Sequence, residues 1–564
     1  MENEINKIVG TSNRILEIDL TTEQVKELQV TDNDRRLYLG GKGLGLKLLF
    51  ERLQPGIDPL GQDNYLAFMM GVLLGTGAPC SGRFAALTKS PLTGIMLASS
   101  CGGPFGMAYK TAGYDGLLIT GKSPRPIYLE IDSSGVKFQD GAYLWGKDTA
   151  ETQELLSNNR RDGVLAIGPA GENRVRYANI ASGDRFLGRG GMGAVMGAKN
   201  IKAILAHGGT YRILANDQNR FNALCKKATK YIKANKYTGV LYRNYGTNSN
   251  TRPCNEAGLI PVNNFRRGSD TRTEDTSGQA MQKKYNTGFD TCQPCTILCG
   301  HKGTYPDGSE QHIPEYESVN LLGPNLGIFD TDRISEFNHI CGRMGMDTIS
   351  AGATLAWTME AGGKRLIETG LTFGSPEGVA DQLRDIAHRR GQGDELANGT
   401  RWLSQKYGGQ EFAIHVKGLE MAAYDPRGSW GQGLAYAVAN RGACHLSGYL
   451  VALEVFFKLL NPYKTYAKAE FTKLFESAFC GVNSLHTCLF TAYAYTMESP
   501  LTKYTLDPVL AVMMQYLPQV TTKLVDFSLY AGLFEAVTGI PMSPADFLKA
   551  GDRIHVLERH MNCR

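Results

Sequence analysis

Three cysteines within eight residues, Cys292-Gln-Pro-Cys295-Thr-Ile-Leu-Cys299, constrain this chain more than any other feature. Thiols spaced three and then four apart wrap one compact centre, so the segment must close around it as a loop. Twelve cysteines in a chain of this size, without a secretion signal, argue for metal ligation and buried thiols over a disulfide framework. Structural zinc usually takes two close pairs, whereas a compact triple completed by one distant ligand fits an iron–sulfur cubane. Spacing alone leaves Cys341, Cys444, Cys480 and Cys488 as candidates for the fourth ligand. A cluster of this kind carries electrons, so a second redox site is expected beside it.

At 564 residues the chain exceeds one hydrophobic core, and two or three domains are expected. The first ~210 residues read mainly as strands. Arg14–Leu20 alternates in polarity, turns at Thr21-Thr22-Glu23 and returns through Val25–Val30, and Ile127–Ile131 with Val136–Phe138 forms a second hairpin. Beyond Ala215 the period becomes helical, at Asn216–Lys236, Ile334–Cys341, Val379–Arg390 and Ala467–Phe479. Strands first and helices after predict an α+β fold, with domains over 1–209, 210–417 and 418–564.

Many of the 66 glycines fall in the strand-rich part, a density that fits both the tight turns of a β-rich domain and backbone that approaches a bulky, polar-tailed ligand closely. The net charge of +5 is mild, and no Lys/Arg block or acidic tail points to nucleic acid. Met1–Asn13 lacks the apolar core of a signal peptide, and the longest apolar stretch, Tyr65–Leu74, is too short to span a bilayer. A cytoplasmic protein is therefore expected. Two glycine motifs are rejected. Gly116–Ser123 has the letters of a phosphate-binding loop, but Pro124-Arg-Pro126 leaves no room for the helix that loop must open. Gly188–Gly193 fits the dinucleotide fingerprint without the apolar strand that must precede it, leaving its backbone amides and Arg185 as phosphate holders.

From end to end the chain resembles the aldehyde ferredoxin oxidoreductase family of tungsten-pterin enzymes. The resemblance runs through Tyr38-Leu-Gly-Gly-Lys-Gly-Leu-Gly45, Lys89-Ser-Pro-Leu-Thr-Gly94, Gly103-Pro-Phe-Gly106, Lys110-Thr-Ala-Gly-Tyr-Asp115, Ile167-Gly-Pro-Ala-Gly-Glu-Asn173 and Gly188–Asn200. It continues through Pro314-Glu-Tyr-Glu317, Gly345-Met-Asp-Thr-Ile-Ser350, Tyr424-Asp-Pro-Arg-Gly428 and Asn440-Arg-Gly-Ala-Cys-His445. It implies a β-rich saddle under two pterins sharing one tungsten or molybdenum, followed by two mostly helical domains. It also implies Cys488 as the fourth ligand of a 4Fe-4S cluster, and Arg83 between cluster and pterin. Ser100 and the backbone of Phe186 fall where the family holds a magnesium ion between pterin phosphates, with Gly102 and Gly103 in the same cofactor-binding stretch and Arg185 on a pterin.

Oxidising an aldehyde to an acid requires a water-derived oxygen, a base and a two-electron acceptor. By resemblance Glu317 activates the water and His445 hydrogen-bonds the substrate oxygen; Glu315, two residues before, is the competing carboxylate. Glu336 and His339 lie three apart on a predicted helix, where the family bridges two subunits through an iron or zinc ion, predicting a homodimer. Electrons are expected to pass to ferredoxin or to an iron–sulfur subunit.

The chain departs from the family's two Asp-x-x-Gly-Leu-(Asp/Cys) pterin segments. The first reads Gly342-Arg-Met-Gly-Met346-Asp347, without its leading aspartate; the second reads Asn483-Ser-Leu-His486-Thr487-Cys488, with asparagine for aspartate. These changes are expected to alter the charge around the pterins, still contacted through Met346, Asp347, Asn483 and Thr487. The chain ends soon after Cys563, earlier than typical relatives, so an added subunit is expected over that region. Two other functions remain: the metal-bearing subunit of a low-potential reductase of the benzoyl-coenzyme A type, and a cofactor-free iron–sulfur relay.

Overall fold

The computed structural model describes residues 6–564. Of the polar stretch Met1–Asn13, the first five residues lie outside the described ones. Two six-stranded mixed sheets dominate the first 208 residues. The first runs, edge to edge, Gln24–Gln29, Arg14–Asp19, Gly116–Thr120, Leu66–Met70, Phe84–Lys89, Met96–Cys101. The second runs Arg185–Leu187, Ile180–Ser182, Asp162–Ala166, Ile201–His207, Ile127–Asp132, Gly135–Asp140. Each sheet has one parallel pair, Arg14–Asp19 with Gly116–Thr120 and Ile127–Asp132 with Ile201–His207.

Leu66–Met70 shows why the sheets pack as they do. All five residues are buried, and successive side chains enter opposite cores. Phe68 meets Phe84, Phe105, Leu129, Leu165 and Ile204 in the core shared by the two sheets. Ala67 and Met69 face the other way, onto Leu44 and Leu48 of helix Gly41–Phe50 and Ile554 near the C-terminus. Helix Pro104–Thr111, opened by proline at its first turn, adds Phe105 and Tyr109 to the shared core.

Both expected hairpins form, Arg14–Asp19 with Gln24–Gln29 and Ile127–Asp132 with Gly135–Asp140. Strand Gly116–Thr120 leads directly toward strand Ile127–Asp132 with no helix between, as the two prolines require. The strand-rich half is less purely β than its periodicity suggests, because Asp32–Tyr38, Gly41–Phe50, Pro104–Thr111, Thr149–Leu156, Pro169–Glu172 and Met192–Ala198 are helical. Helix Gly41–Phe50 escapes the periodicity test since it is buried nearly all round: Gly41, Gly43, Leu44, Gly45, Leu46, Leu48 and Leu49.

After Tyr211–Leu214 the chain is mostly helical, with Gln218–Ala234, Thr331–Met344, Thr348–Gly363, Lys468–Leu485 and Pro544–Cys563 the longest elements. Strands then helices is the order the sequence predicts. The C-terminal helix returns to the first sheet, so the last residues close over the strand-rich half. Gly551 makes this possible: a Cβ there would lie 2.0 Å from the carbonyl oxygen of Ser477 on the neighbouring helix.

Candidate redox and acid–base site

A cavity of about 560 Å³ opens where the strand-rich half meets the helices. Cys292, Cys295, Cys299 and Cys488 all line it, although nearly 190 residues separate the last two. Cys80 and Cys101 are two further thiols on the same cavity that spacing does not reveal, since nothing marks an isolated cysteine as near a motif about 190 to 210 residues away. Of the two, Cys80 reaches the cysteine loop directly. Its carbonyl accepts from the Cys488 amide at 2.9 Å, and its Sγ accepts from the Thr296 amide at 3.4 Å. The Leu298 amide donates to Cys295 Sγ at 3.3 Å. Two glycines let the cluster loop touch the first sheet: a Cβ on Gly102 would lie 2.4 Å from Cys292 Sγ, and one on Gly82 2.0 Å from the Gln293 carbonyl oxygen.

Charge around these thiols is positive. Arg83 donates to the Ser100 carbonyl at 2.7 Å, and Arg185 to the Asp290 carbonyl at 2.6 Å and to Glu315 at 3.0 Å. Burial works against both guanidiniums, but the neighbouring thiols, Cys488 and Cys292 at Arg83 and Cys292 at Arg185, hold them protonated. Burial raises the Cys299 thiol and pushes Cys488 up to about 11, while a hydrogen bond from Cys80 lowers Cys295. Four sulfurs on one cavity, covered by two arginines, are a donor set suited to an iron–sulfur cluster.

The nominated cofactor residues Ser100, Gly102, Phe186, Met346 and Asp347 line the same cavity; Gly103, Asn483 and Thr487 do not. Gly103 turns toward Ser182, and Asn483 sits near the end of helix Lys468–Leu485. Thr487 Oγ1 is buried with no hydrogen-bond partner among the described residues. The Asp347 carboxylate is already engaged: it caps helix Thr348–Gly363, accepts from Ser350 at 2.8 Å and pairs with Arg189 at 3.2 Å. Arg189, missed as part of a rejected glycine motif, is buried and also donates to the carbonyls of Ala443 and Glu420. His486, standing where the family has glycine, is buried against Gly41, with Nδ1 3.3 Å from Ser100 Oγ.

Glu317 and His445, 128 residues apart, come together: Nε2 of the histidine is 3.5 Å from Oε1 of the glutamate. Glu317 lies in the first turn of helix Tyr316–Leu322, accepts from the Ala423 amide at 2.7 Å and lines the cavity. Burial pushes its carboxyl up to about 7. Burial, with Arg189 and Arg441, holds His445 well below the usual imidazole range. Glu317 thus exchanges its proton near neutrality while His445 stays neutral there, as an acid–base pair beside a redox centre requires. The competing Glu315 is half exposed and bound to Arg185, whereas the Glu317 side chain is only 17% exposed.

Glu336 and His339 share helix Thr331–Met344, but the Glu336 carboxylate pairs with Arg333 at 3.0 Å while His339 stands on the cavity rim. The same rim holds a trio the sequence did not signal. His312 Nε2 is 2.9 Å from Asp290 and 3.1 Å from Asp184, and the two carboxylates outweigh burial to raise the imidazole to about 9.

Residues 15–208 match the family model described as aldehyde ferredoxin oxidoreductase, N-terminal domain, and residues 223–564 match that for domains 2 and 3. The chain is 36% identical to the tungsten-containing aldehyde ferredoxin oxidoreductases of Pyrococcus furiosus and Pyrococcus abyssi, over 98% of this chain and 89% of each relative. It is 28% identical to the WOR-like subunit of the aliphatic sulfonate oxidoreductase of Pyrococcus furiosus, over 77% of this chain and 74% of that one. Among solved structures, the active site complex BamBC of benzoyl coenzyme A reductase with 1,5-dienoyl-CoA aligns with a TM-score of 0.81 at 26% identity, covering 98% of this chain and 89% of that one. This chain belongs to the aldehyde ferredoxin oxidoreductase family.

Proposed function

We propose that the protein oxidises aldehydes to carboxylic acids at a tungsten-pterin centre and passes the electrons through a 4Fe-4S cluster to ferredoxin or an iron–sulfur subunit. The observation that carries this reading is the Glu317–His445 pair, 3.5 Å apart, with Glu317 on the cavity that Cys292, Cys295, Cys299 and Cys488 also line. Cys292, Cys295, Cys299 and Cys488 would hold the cluster, and Arg83, Arg185, Ser100, Phe186 and Met346 would contact the pterin part. When bound, the metal–pterin group supplies a two-electron acceptor that hands electrons singly to the cluster.

The chain's own residues would manage the protons. Ionised Glu317, steadied by the Ala423 amide, takes the proton of the attacking water. His445 donates a hydrogen bond to the substrate oxygen as negative charge gathers there. Asp347, engaged with Arg189 and Ser350, supports the pterin region by fixing the Thr348 helix. Magnesium at Ser100 and the Phe186 backbone, and an interfacial metal at Glu336 and His339 in a homodimer, belong to this reading. So does a cytoplasmic location; among the described residues no helix is long and apolar enough to cross a membrane.

The test is a panel of aliphatic and aromatic aldehydes with oxidised benzyl viologen, under anaerobic conditions. Turnover of at least one aldehyde with the matching acid formed is expected. No turnover of any aldehyde, together with reduction of benzoyl-coenzyme A by a low-potential donor, would overturn the reading for the reductase alternative. A loaded enzyme inert in both assays would leave a relay.

A further inference from the structure

Behind the loop that carries His445 lies a second group of buried titratable residues. Glu476, on helix Lys468–Leu485, is 7% exposed; its Oε2 stands 3.7 Å from His555 Nε2, and its Oε1 has no hydrogen-bond partner among the described residues. Three residues after His555 on the C-terminal helix, Glu558 Oε2 accepts from Lys42 Nζ at 2.8 Å and from Asn440 Nδ2 at 3.2 Å, while its Oε1 is unpartnered. Asn440 Nδ2 also donates to the His555 carbonyl at 2.9 Å.

The loop is held against this group at both ends. Asn440 opens the segment that reaches His445, and Gly448 follows three residues later. A Cβ on Gly448 would lie 3.4 Å from Thr472 Cγ2 and 3.6 Å from Glu476 Cγ, so Glu476 backs directly onto the loop. His445 Nδ1 and Thr472 Oγ1 are also buried without partners among the described residues. Buried polar atoms of this kind are normally satisfied by internal water. Such atoms occur on both sides of the contact: His445 Nδ1 on the loop, and Thr472 Oγ1, Glu476 Oε1 and Glu558 Oε1 on the helices behind it.

Oxidation of an aldehyde by water yields a carboxylic acid, a pair of protons and a pair of electrons. The electrons leave through the cluster; the protons need a separate exit. Resting on the aldehyde-oxidising reading, we propose that Glu476 and His555 form the proton outlet of the active site, receiving protons from the Glu317–His445 pair and releasing them to solvent past Lys417 and Arg559. Neither residue touches substrate; both act as relays. No covalent bond is made: a proton enters one carboxylate oxygen of Glu476 and leaves through the imidazole of His555.

The charges around the pair suit that task. Burial pushes Glu476 up to about 7, with Arg559, Lys42 and Lys417 pulling it down and Glu558 pushing it up. Burial and Lys42 lower His555. Glu558 stays ionised despite burial because Lys42 pairs with it, so that ion pair is a fixed charge and Glu476 is the member that exchanges protons near neutrality.

The experiment compares wild-type holoenzyme with Glu476→Gln and Glu476→Asp, using an aldehyde that the wild type turns over and viologen in excess. Glu476→Gln should lower kcat about tenfold with KM unchanged and metal content intact, less than the roughly 10²–10⁴ lost with a group that exchanges protons with the substrate itself. Imidazole buffer should restore the rate in proportion to its concentration, and Glu476→Asp should recover part of it without buffer. A merely structural glutamate would give no buffer rescue. Wild-type kcat in Glu476→Gln, or a lowered kcat that imidazole leaves unchanged, overturns the outlet. An inactive wild-type holoenzyme would instead overturn the aldehyde reading, and the outlet with it.

Discussion

The two ends of the cavity treat charge in opposite ways. Around Cys292, Cys295, Cys299 and Cys488, two arginines face the sulfurs and keep their charge despite burial. Around Glu317 and His445, 3.5 Å apart, desolvation works the other way: it raises the acid to about 7, and with Arg189 and Arg441 it lowers the base. One end keeps fixed charge, which suits holding electrons. The other keeps protons mobile, which suits chemistry at a carbonyl.

The contrast breaks most completely at a thiol. Cys488→Ser removes the fourth ligand proposed for the cluster, and iron per molecule should fall by most of its wild-type value, with loss of viologen reduction. Full iron content in that variant would move the fourth ligand elsewhere, with Cys80 the nearest candidate. Next in size, Glu317→Gln should cut kcat by roughly 10²–10⁴ with iron and tungsten contents unchanged. The acidic limb of kcat/KM in the wild type should fall near pH 7, because Glu317 acts as base only when ionised and burial has raised its carboxyl to about 7.

The same shift has a stability consequence. A carboxyl whose folded pKa lies above its unfolded value binds more protons when folded, so its contribution to stability falls as pH rises from about 4.5 toward 7. Glu317→Gln should therefore melt no lower than wild type at pH 8, and higher if the Ala423 amide finds the new carbonyl. A clear drop in melting temperature at pH 8 would deny the burial cost at that end. At the other end, Arg83→Met should lower the cluster's reduction potential by about 60 mV, a tenfold change for one electron, because a positive charge beside the added electron is lost. The smallest effect is expected at Glu336→Gln, within about 0.5 kcal/mol in stability, since Arg333 is its exposed partner. Light scattering on that variant checks the dimer: an unchanged mass would remove Glu336 from any subunit bridge.

Sequence and structure meet unevenly. Alternating strands such as Arg14–Asp19 were legible because Leu16 and Ile18 enter one core while Glu17 and Asp19, on the opposite face, stay partly exposed. Helix Gly41–Phe50 was not, because a helix buried on all sides carries no period. The cysteine triple was legible as a local motif, and Cys488 only through the family resemblance. Cys80, Arg189 and the Asp184–His312–Asp290 trio were illegible, since each meets its partners only after distant segments fold together. The altered pterin segments were legible as departures, yet their effect was not: Asp347 is spoken for by Arg189 and Ser350, and His486 packs on Gly41 rather than lining the cavity.

Metal analysis of anaerobically purified protein, from cells supplied with tungsten, tests the central claim most directly. The account predicts about one tungsten and roughly four iron atoms per chain, the iron content of a cubane cluster. Iron at that level without tungsten, in protein that retains its fold, would contradict a charge-poor acid–base pair serving a redox metal and leave only the electron-holding end of the comparison standing.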